Sequence, residues 1–320
     1  MPNRVTAARA AVVQPQGPSE DRSDILVAPT GSDEAEHTGP DPRVNWTVSL
    51  EWSEPTSIPS QVREEILQTP TSTGFSAYTF PDAVGGWSYL NSAKDDDKFS
   101  LLSISTDLVI AWKSPPRIAS EDDLREILER TKRVAKQIGS PSVTSESSPA
   151  EGAKKAQNIF QTWDEADWHV SISLEAPKGS SFDGKEVWDV MLSLGLRWGN
   201  MDLFHWDNPN PDFGSDALFS VHTTSGYGYF LPEQIAAGET QVDDLVFGYS
   251  VPRSPGPLLV FESMKRAPEY AQERLGGRIT EPETNGPVDF EYERAAIDKA
   301  VRRLKNGGFT PGASSTLQLF

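Results

Sequence analysis

Three of the four histidines are the residues best suited to chemistry in this chain. His169, His205 and His222 each fall in a segment of alternating apolar and polar residues, on its polar side. Alternate residues of a strand share one face, so the three imidazoles are expected on the same face of a sheet. Neutral imidazoles on neighbouring strands are zinc ligands, but no HxxxH-type spacing accompanies them. The alternative is that they are polar residues of an exposed face, and we predict no metal site.

Motifs for covalent or phosphate chemistry are absent from the sequence. The chain has no cysteine, which excludes thiolate nucleophiles, disulfides and cysteine-ligated metals. It contains neither a GxSxG nor an SxxK motif, and the glycines of SGYGYF (Ser225–Phe230) match no phosphate loop. Acidic pairs such as Asp243-Asp244 are typical of turns and helix starts. We therefore predict a non-enzymatic protein without cofactors.

An α+β domain over 165–307 is the predicted scaffold for the histidines. Alternation predicts strands, which cover Trp168–Leu174, Asn200–Trp206, Ala217–Thr223 and Asp244–Val251. Helical spacing of apolar residues predicts helices over Lys185–Arg197, Leu259–Leu275 and Tyr292–Leu304. The expected architecture is an antiparallel sheet with helices packed on one face.

A repeated sequence pattern predicts that this domain has a second copy. DLVIAWKSPPR at Asp107–Arg117 echoes DLVFGYSVPR at Asp244–Arg253, and both are followed by a helical pattern that ends at glycine. WTVSLEW at Trp46–Trp52 matches the first strand, and FSLLSIST at Phe99–Thr106 parallels LFSVHTTS at Leu218–Ser225. We predict a tandem duplication; the alternative is two unrelated α+β domains that share local patterns.

Composition predicts how the rest of the chain is organised. Residues 1–43 and 140–164 are rich in Pro, Gly, Ser and acidic residues, which is typical of segments that bury little apolar surface. We predict a disordered arm at 1–43, a degenerate domain at 44–139, a linker at 140–164, the domain at 165–307 and a flexible tail at 308–320.

The net charge of −18 argues against nucleic acid as a partner, because such partners require a basic surface. No stretch is long and apolar enough for a membrane span, and the first residues lack a signal-peptide core. We predict a cytoplasmic, acidic protein that does not insert into membranes.

Apolar residues occur on the supposedly polar face of the predicted sheet. Met201 and Leu203 alternate with Phe204 and Trp206, which places them beside His205, and Val246 does the same on the fourth strand. An apolar patch on an open sheet face predicts a docking surface for a peptide or protein. The alternative is that another part of the protein covers this face.

The run FDGKEVWDVMLSLGLRWGNMDLFHW (Phe182–Trp206), followed by ALFSV, YFLPE, LVFGYSVP and LGGRI, resembles the C-terminal FtsZ-binding domain of the ZipA family over about 167–305. The resemblance implies an antiparallel sheet with helices on one face. It also implies that the other face is a shallow hydrophobic groove for the C-terminal peptide of the division protein FtsZ, which would place this protein at the division site.

The resemblance, together with the strand alternation, assigns the partner-binding residues. They are Met201, Leu203, His205, His169, Ser171, His222, Thr224, Val246, Gly248 and Ser250. Gly248 stands where the family has an aromatic residue, so the framework resembles the family more closely than the groove does. The equivalent positions of the first copy would be Thr47, Ser49, Glu51, Val109, Ala111 and Lys113.

Two departures from the family leave a second hypothesis open. The membrane-spanning helix that the family carries before its linker has no counterpart here, and a disordered arm and the first copy stand in its place. FtsZ tails are generally acidic, which suits an acidic host poorly. The alternative function is a scaffold or immunity-type adaptor that binds a different protein.

Overall fold

The computed structural model describes residues 4–14, 17–30, 39–68, 74–81, 86–210 and 212–320. The chain forms two compact units. The five-strand unit comprises Ala35–Glu165, Arg303–Phe309 and Ser314–Phe320, and the six-strand unit comprises Met1–Glu34, Ala166–Arg302 and Thr310–Ala313. Both combine helices with antiparallel sheets, which confirms the predicted α+β class.

Helices of the described residues begin and end as follows: α1 Arg4–Ala10, α2 Ser60–Leu67, α3 Glu121–Ala135, α4 Pro149–Ala166, α5 Gly184–Ser193, α6 Pro232–Ala237, α7 Pro257–Leu275, α8 Phe290–Asn306 and α9 Ser314–Leu319. Short 3₁₀ turns cover Ser23–Ile25, Leu90–Ser92 and Asn200–Asp202. No helix of the described residues combines the length and apolar character that a membrane crossing requires.

Strands of the five-strand unit are β1 Asn45–Thr56, β2 Phe75–Pro81, β3 Ser88–Tyr89, β4 Phe99–Asp107, β5 Val109–Ile110, β6 Arg117–Ile118 and β7 Ser142–Ser145. Strands of the six-strand unit are β8 His169–Glu175, β9 Phe182–Asp183, β10 Arg197–Trp198, β11 Phe204–Asp207, β12 Ala217–His222, β13 Gln241–Val242, β14 Asp244–Ser250 and β15 Arg278–Thr280.

Each unit contains one large antiparallel sheet. Their spatial orders are β3-β2-β4-β1-β7 and β10-β11-β12-β14-β8-β15, and β5-β6 and β9-β13 form separate two-stranded sheets. Four strands and two helices have the same arrangement in both units. The chain runs β1-α2-β2-β4-α3-β7 in one and β8-α5-β12-β14-α7-β15 in the other, which is the split βαβ motif. Unrelated proteins share this motif, so the duplication stays a prediction.

The predicted matching of strands between the two units, which was based on the repeated sequence pattern, is wrong. By topology β4 corresponds to β14, whereas Phe99–Thr106 was matched with β12. The segment Asp107–Arg117 forms the end of β4, the two-residue strand β5 and turns that precede β6. Val109, Ala111 and Lys113 therefore lie outside the five-stranded sheet. The residues that pair with Thr47, Ser49 and Glu51 on the same face are Ser105, Ser103 and Leu101.

The predicted linker at 140–164 is part of the five-strand unit. Strand β7 pairs antiparallel with β1, and α4 packs Gly152 against the Trp46 ring and Leu124. The capping pair Ser148 and Glu151 begins α4: the Ser148 amide donates to the Glu151 carboxylate at 2.9 Å. The helix was not predicted because the segment before it is rich in Ser and because two of its buried residues, Gly152 and Ala156, are small.

The predicted arm and tail also carry structure. Residues 17–30 run along the six-strand unit, where the Arg22 amide donates to the Ser193 carbonyl at 2.7 Å and the Val27 amide donates to Ser263 Oγ at 3.0 Å. Leu26 enters the core of this unit. At the other end, α9 buries Leu319. The predictions of a disordered 1–43 and a flexible 308–320 are therefore wrong for the described residues.

The core of the six-strand unit lies between one face of its sheet and the helices. Val170, Ile172 and Leu174 of β8 and Leu245, Phe247 and Tyr249 of β14 point into it. Helices α5 and α7 pack on this face. Helix α7 ends at Gly276-Gly277, and the second glycine is required because a Cβ at φ +93° would lie 2.3 Å from the Glu175 carbonyl oxygen. The opposite face of the sheet is called the open face; it is exposed only in part, because Ser173, Val246 and Thr280 on it are buried.

Candidate functional site on the open sheet face

The strand register aligns polar side chains in rows across the open face. One row runs Arg197, His205, Ser220, Gly248 and Ser171, because each pairs with the next. The neighbouring row runs His222, Val246, Ser173 and Thr280. His169 pairs with Ser250 in a third row. Residues two apart on a strand are about 7 Å apart, so the rows are separate strips of the face.

A groove of about 400 Å³ lies at the β10–β12 end of the open face. Its walls include Met201 and Leu203 on one side and Ser215 and Arg253 on the other, with His205, Ser220, Gly248 and Ser250 between them. Its apolar lining includes Met201, Leu203, Ala217 and Leu218, and its polar lining includes hydroxyl, imidazole and guanidinium groups. Such a mixed groove fits a peptide that inserts an apolar side chain and hydrogen-bonds alongside it.

His205 stands at the centre of the groove with both ring nitrogens occupied. Nε2 lies 2.8 Å from the Asn200 carbonyl oxygen, which accepts only, so Nε2 carries a proton. In the neutral ring, Nδ1 then accepts from the Ser220 hydroxyl at 2.8 Å. The imidazole is thus fixed in orientation and ties β11 to the turn that precedes it.

That turn holds Met201 out from the protein. Met201 and Asp202 are consecutive non-glycine residues in the left-handed region, at φ 59° and 57°. Each such residue costs about 1 kcal/mol, so contacts must hold the turn in place. The Asp202 amide donates to the Gly199 carbonyl at 3.0 Å, and the Phe230 amide donates to the Asp202 carbonyl at 2.9 Å. The Met201 side chain is 76% exposed as a result.

Gly248 lines the floor of the groove and contributes no side chain to it. A Cβ there would lie 3.2 Å from Ser171 Oγ and 3.4 Å from the Val170 carbonyl oxygen, so a side chain requires only a small shift of the serine. There is therefore room above Gly248 for a side chain at position 248 itself or for a side chain of a bound partner.

Both arginines that line the groove have hydrogen-bond partners, and one of these partners is a carboxylate. Arg197 donates from Nε and Nη2 to the two Asp207 oxygens at 2.7 and 2.8 Å, and this hydrogen bonding raises the pKa of Arg197. Arg253 Nε donates to Ser215 Oγ at 3.0 Å. Pairing of this kind gives direction to hydrogen bonds without a net charge.

The three histidines do not converge. His205, His222 and His169 lie in three different rows, and ligands of one zinc ion must all reach to about 2 Å from it. Among the residues that the structure describes, no group of three or more His, Asp or Glu is placed to hold a metal ion. The zinc alternative therefore has no geometric support.

Residues 169–289 match the family model described as ZipA, C-terminal FtsZ-binding domain. This segment is similar to ZipA C-terminal domains. Three proteins named Cell division protein ZipA show the same similarity. That of Shewanella loihica is 28% identical over 34% of this chain and 31% of its own length. Those of Marinobacter nauticus and Pseudomonas fluorescens are each 26% identical, over 42% and 48% of this chain and 40% and 54% of theirs. The chain thus spans about a third to a half of these relatives.

Five of the ten residues predicted for partner binding line the groove of this ZipA-like unit: Met201, Leu203, His205, Gly248 and Ser250. Their common location has a different origin from the one predicted, because 200–203 is a 3₁₀ turn and loop and β11 begins only at Phe204. Alternation along a strand was thus the wrong reason for placing Met201 and Leu203 beside His205.

The other five predicted residues lie outside the groove. Ser171 adjoins Gly248 in the same row, and Val246 and His222 lie in the next row, where Val246 is buried. Thr224 follows β12, and its amide donates to the Asp244 carboxylate at 2.7 Å. His169 lies at the start of β8, with Nε2 3.2 Å from Asp167. Their role in binding stays a prediction.

Sequence reasoning missed the polar wall of the groove. Arg197, Ser215, Asp216 and Arg253 line it. Arg197 occupies a two-residue strand, and the other three lie in loops, where no periodicity indicates a face. The Pro-Arg ending of DLVFGYSVPR indicates this arginine, but it was interpreted as part of the framework.

His222 predicts a pH dependence of stability. Burial lowers the pKa of His222 from 6.5, and nearby Asp244 opposes the shift only in part. The unfolded chain then binds the proton more readily, so the six-strand unit is expected to lose stability as the pH falls below 6.5 toward the lowered pKa. Denaturation measured at pH 7 and at pH 5 should show that His222→Asn loses less free energy of unfolding over this range than the unsubstituted protein does.

The control is His169→Asn, because the His169 side chain is 64% exposed. It should leave the pH dependence as in the unsubstituted protein. An unchanged slope in His222→Asn would contradict the assignment to His222.

Proposed function

We propose that the six-strand unit binds the C-terminal segment of FtsZ on its open sheet face and acts, without catalysis, in cell division at the division site. The match of residues 169–289 to a domain described as FtsZ-binding supports the choice of partner. The observation that carries the proposal is the position of Met201, an exposed thioether held by a left-handed turn at the rim of the groove.

Met201 has the properties of a peptide anchor. Its side chain is unbranched and adapts its shape to an apolar partner. Because the turn already fixes the backbone, little entropy remains to be lost on binding. Ser220 lines the same groove, and its hydroxyl, which already donates to His205, can still accept a hydrogen bond from a peptide amide.

The proposal predicts that Met201→Glu lowers affinity by about thirtyfold, the effect of losing a buried anchor worth about 2 kcal/mol. The measurement is fluorescence anisotropy of a labelled C-terminal FtsZ peptide titrated with the full chain. The matched control is Leu259→Glu, an exposed aliphatic residue in the first turn of α7, where a carboxylate is well tolerated.

The expected result is saturable binding that Met201→Glu weakens about thirtyfold and that Leu259→Glu preserves. Equal loss in both variants would indicate a general effect of negative charge and would contradict a groove at Met201. No binding of the unsubstituted chain at millimolar peptide would remove FtsZ as the partner.

The second candidate function is an adaptor for a different protein. The observation that favours it is the polar floor of the groove, where Ser220 and Gly248 leave fewer apolar contacts than the resemblance to the family implies. In addition, the five-strand unit carries an aromatic cluster of Tyr78, Phe80, Trp87 and Tyr89, with Tyr89 more than half exposed. Failure of FtsZ peptide to bind, with the fold intact, would favour this function.

A further inference from the structure

Arg9, in the N-terminal segment that precedes the family match, contacts three parts of the six-strand unit. Nε and Nη2 donate to the two Glu233 oxygens at 2.8 and 3.1 Å, and Nη1 donates to Asp202 Oδ1 at 3.3 Å. Its guanidinium carbon lies 5.0 Å from the centre of the Trp198 ring. One side chain thus joins the start of α6, the turn at 200–202 and strand β10.

The contacts of Arg9 are directed at the strained part of the binding face. Asp202 is one of the two left-handed residues that hold Met201 outward. The loop before α6 is tied to the same turn, because Trp198 Nε1 donates to the Phe230 carbonyl at 2.9 Å and the Phe230 amide donates to Asp202. Arg9 therefore closes a network around the turn.

A planar guanidinium suits this position better than an ammonium does. The bidentate pair with Glu233 uses two of its donors in fixed geometry while a third reaches Asp202 and the flat face covers Trp198. The pairing lowers the pKa of Glu233 to about 2, with the Arg9 hydrogen bond as the largest cause. Side chains of Arg9 and Asp202 are only about a third exposed, which limits screening.

We propose that Arg9 is a positioning residue, which braces the Met201–Asp202 turn from the N-terminal segment and so sets the anchor on which partner binding depends. The link to binding rests on the proposed function. The bracing itself does not, and it is tested separately below.

The test compares Arg9→Ala with Arg9→Lys and the control Arg22→Ala in the full chain. Arg22 lies in the same segment, is ion-paired with Glu20 and Asp24 and stacks over Tyr270 at 5.6 Å, so it matches Arg9 in chemistry but not in place. Hydrogen exchange is measured at the amides of Asp202, Leu203 and Phe230, which donate within the network, and at β8 amides, which report global unfolding.

In Arg9→Ala, exchange at the network amides is expected to accelerate at least about tenfold, the effect of losing charge-assisted hydrogen bonds, with β8 unchanged. Arg9→Lys should be intermediate and Arg22→Ala equal to the unsubstituted chain. Unchanged exchange in Arg9→Ala, or equal acceleration in Arg22→Ala, would overturn the bracing.

FtsZ peptide affinity is measured on the same samples. Weakening of about five- to tenfold in Arg9→Ala, with Arg22→Ala unaffected, would link the brace to binding. Faster exchange with unchanged affinity would overturn that link. If the unsubstituted chain binds no peptide, the proposed function fails, whereas the exchange result still decides whether Arg9 braces the turn.

Discussion

Phe204→Ala is expected to lower the free energy of unfolding of the six-strand unit by about 4 kcal/mol. Phe204 is fully buried and begins the strand that carries His205. Its ring contacts Trp188 at 4.9 Å between centroids and Phe230 at 5.0 Å. Truncation leaves a cavity among rigid rings that collapse poorly, so the cost should lie in the upper range for aromatic residues. The change in free energy is measured by urea denaturation, with hydrogen exchange at the β8 amides as the signal.

The comparison variant is Leu259→Ala, an exposed residue of the same unit, for which a change below about 0.5 kcal/mol is expected. A loss under 2 kcal/mol in Phe204→Ala would mean that the aromatic stack repacks. Such a result would also show that the geometry of the groove does not depend on a rigid aromatic core beneath it.

Gly152→Ala is expected to destabilise the five-strand unit by about 2 kcal/mol. Alanine in a helix is normally more stable than glycine by up to about 1 kcal/mol, so the expected sign is reversed. The reason is contact: a Cβ would lie 2.8 Å from Trp46 Cδ1 and 2.6 Å from Leu124 Cδ1. The Trp46 ring is fully buried and cannot swing away. The change in free energy is measured by urea denaturation, with hydrogen exchange at the β1 and β4 amides as the signal.

Gln157→Ala, at an exposed position of the same helix, is the control and should be neutral or slightly stabilising. A stabilising Gly152→Ala would contradict close packing of α4 on β1. It would then favour the original prediction of a linker at 140–164.

Strong periodicity explains which elements were predictable. The apolar residues of Leu259–Leu275 recur at helical spacing up to the Gly-Gly stop, and α7 is observed at Pro257–Leu275. Predicted strand Trp168–Leu174 is observed as β8, His169–Glu175, for the same reason. Both patterns come from one face that is buried along its whole length.

Local backbone geometry and long-range polar contacts explain the failures. Nothing in NMDLF indicates two left-handed residues, so the segment was predicted to be a strand and is a turn. Asp189 fixes the N-terminal segment by accepting from Gln14 Nε2 at 2.8 Å and from the Ser19 amide at 2.7 Å. Partners about 170 residues apart leave no periodic signal. The groove was half predictable because its apolar side follows the resemblance and its polar side lies in loops.

The path of the N-terminal segment has a consequence for how the protein is made. Leu26 shares a core with Ile297 and Ala300 of α8, so Leu26 completes its packing only after α8 has been synthesised. Closure over such sequence separations is slow and leaves apolar surface uncovered meanwhile. We therefore expect nascent chains to depend on chaperones until α8 has left the ribosome, and fragments that start near residue 165 to aggregate more readily than residues 1–320.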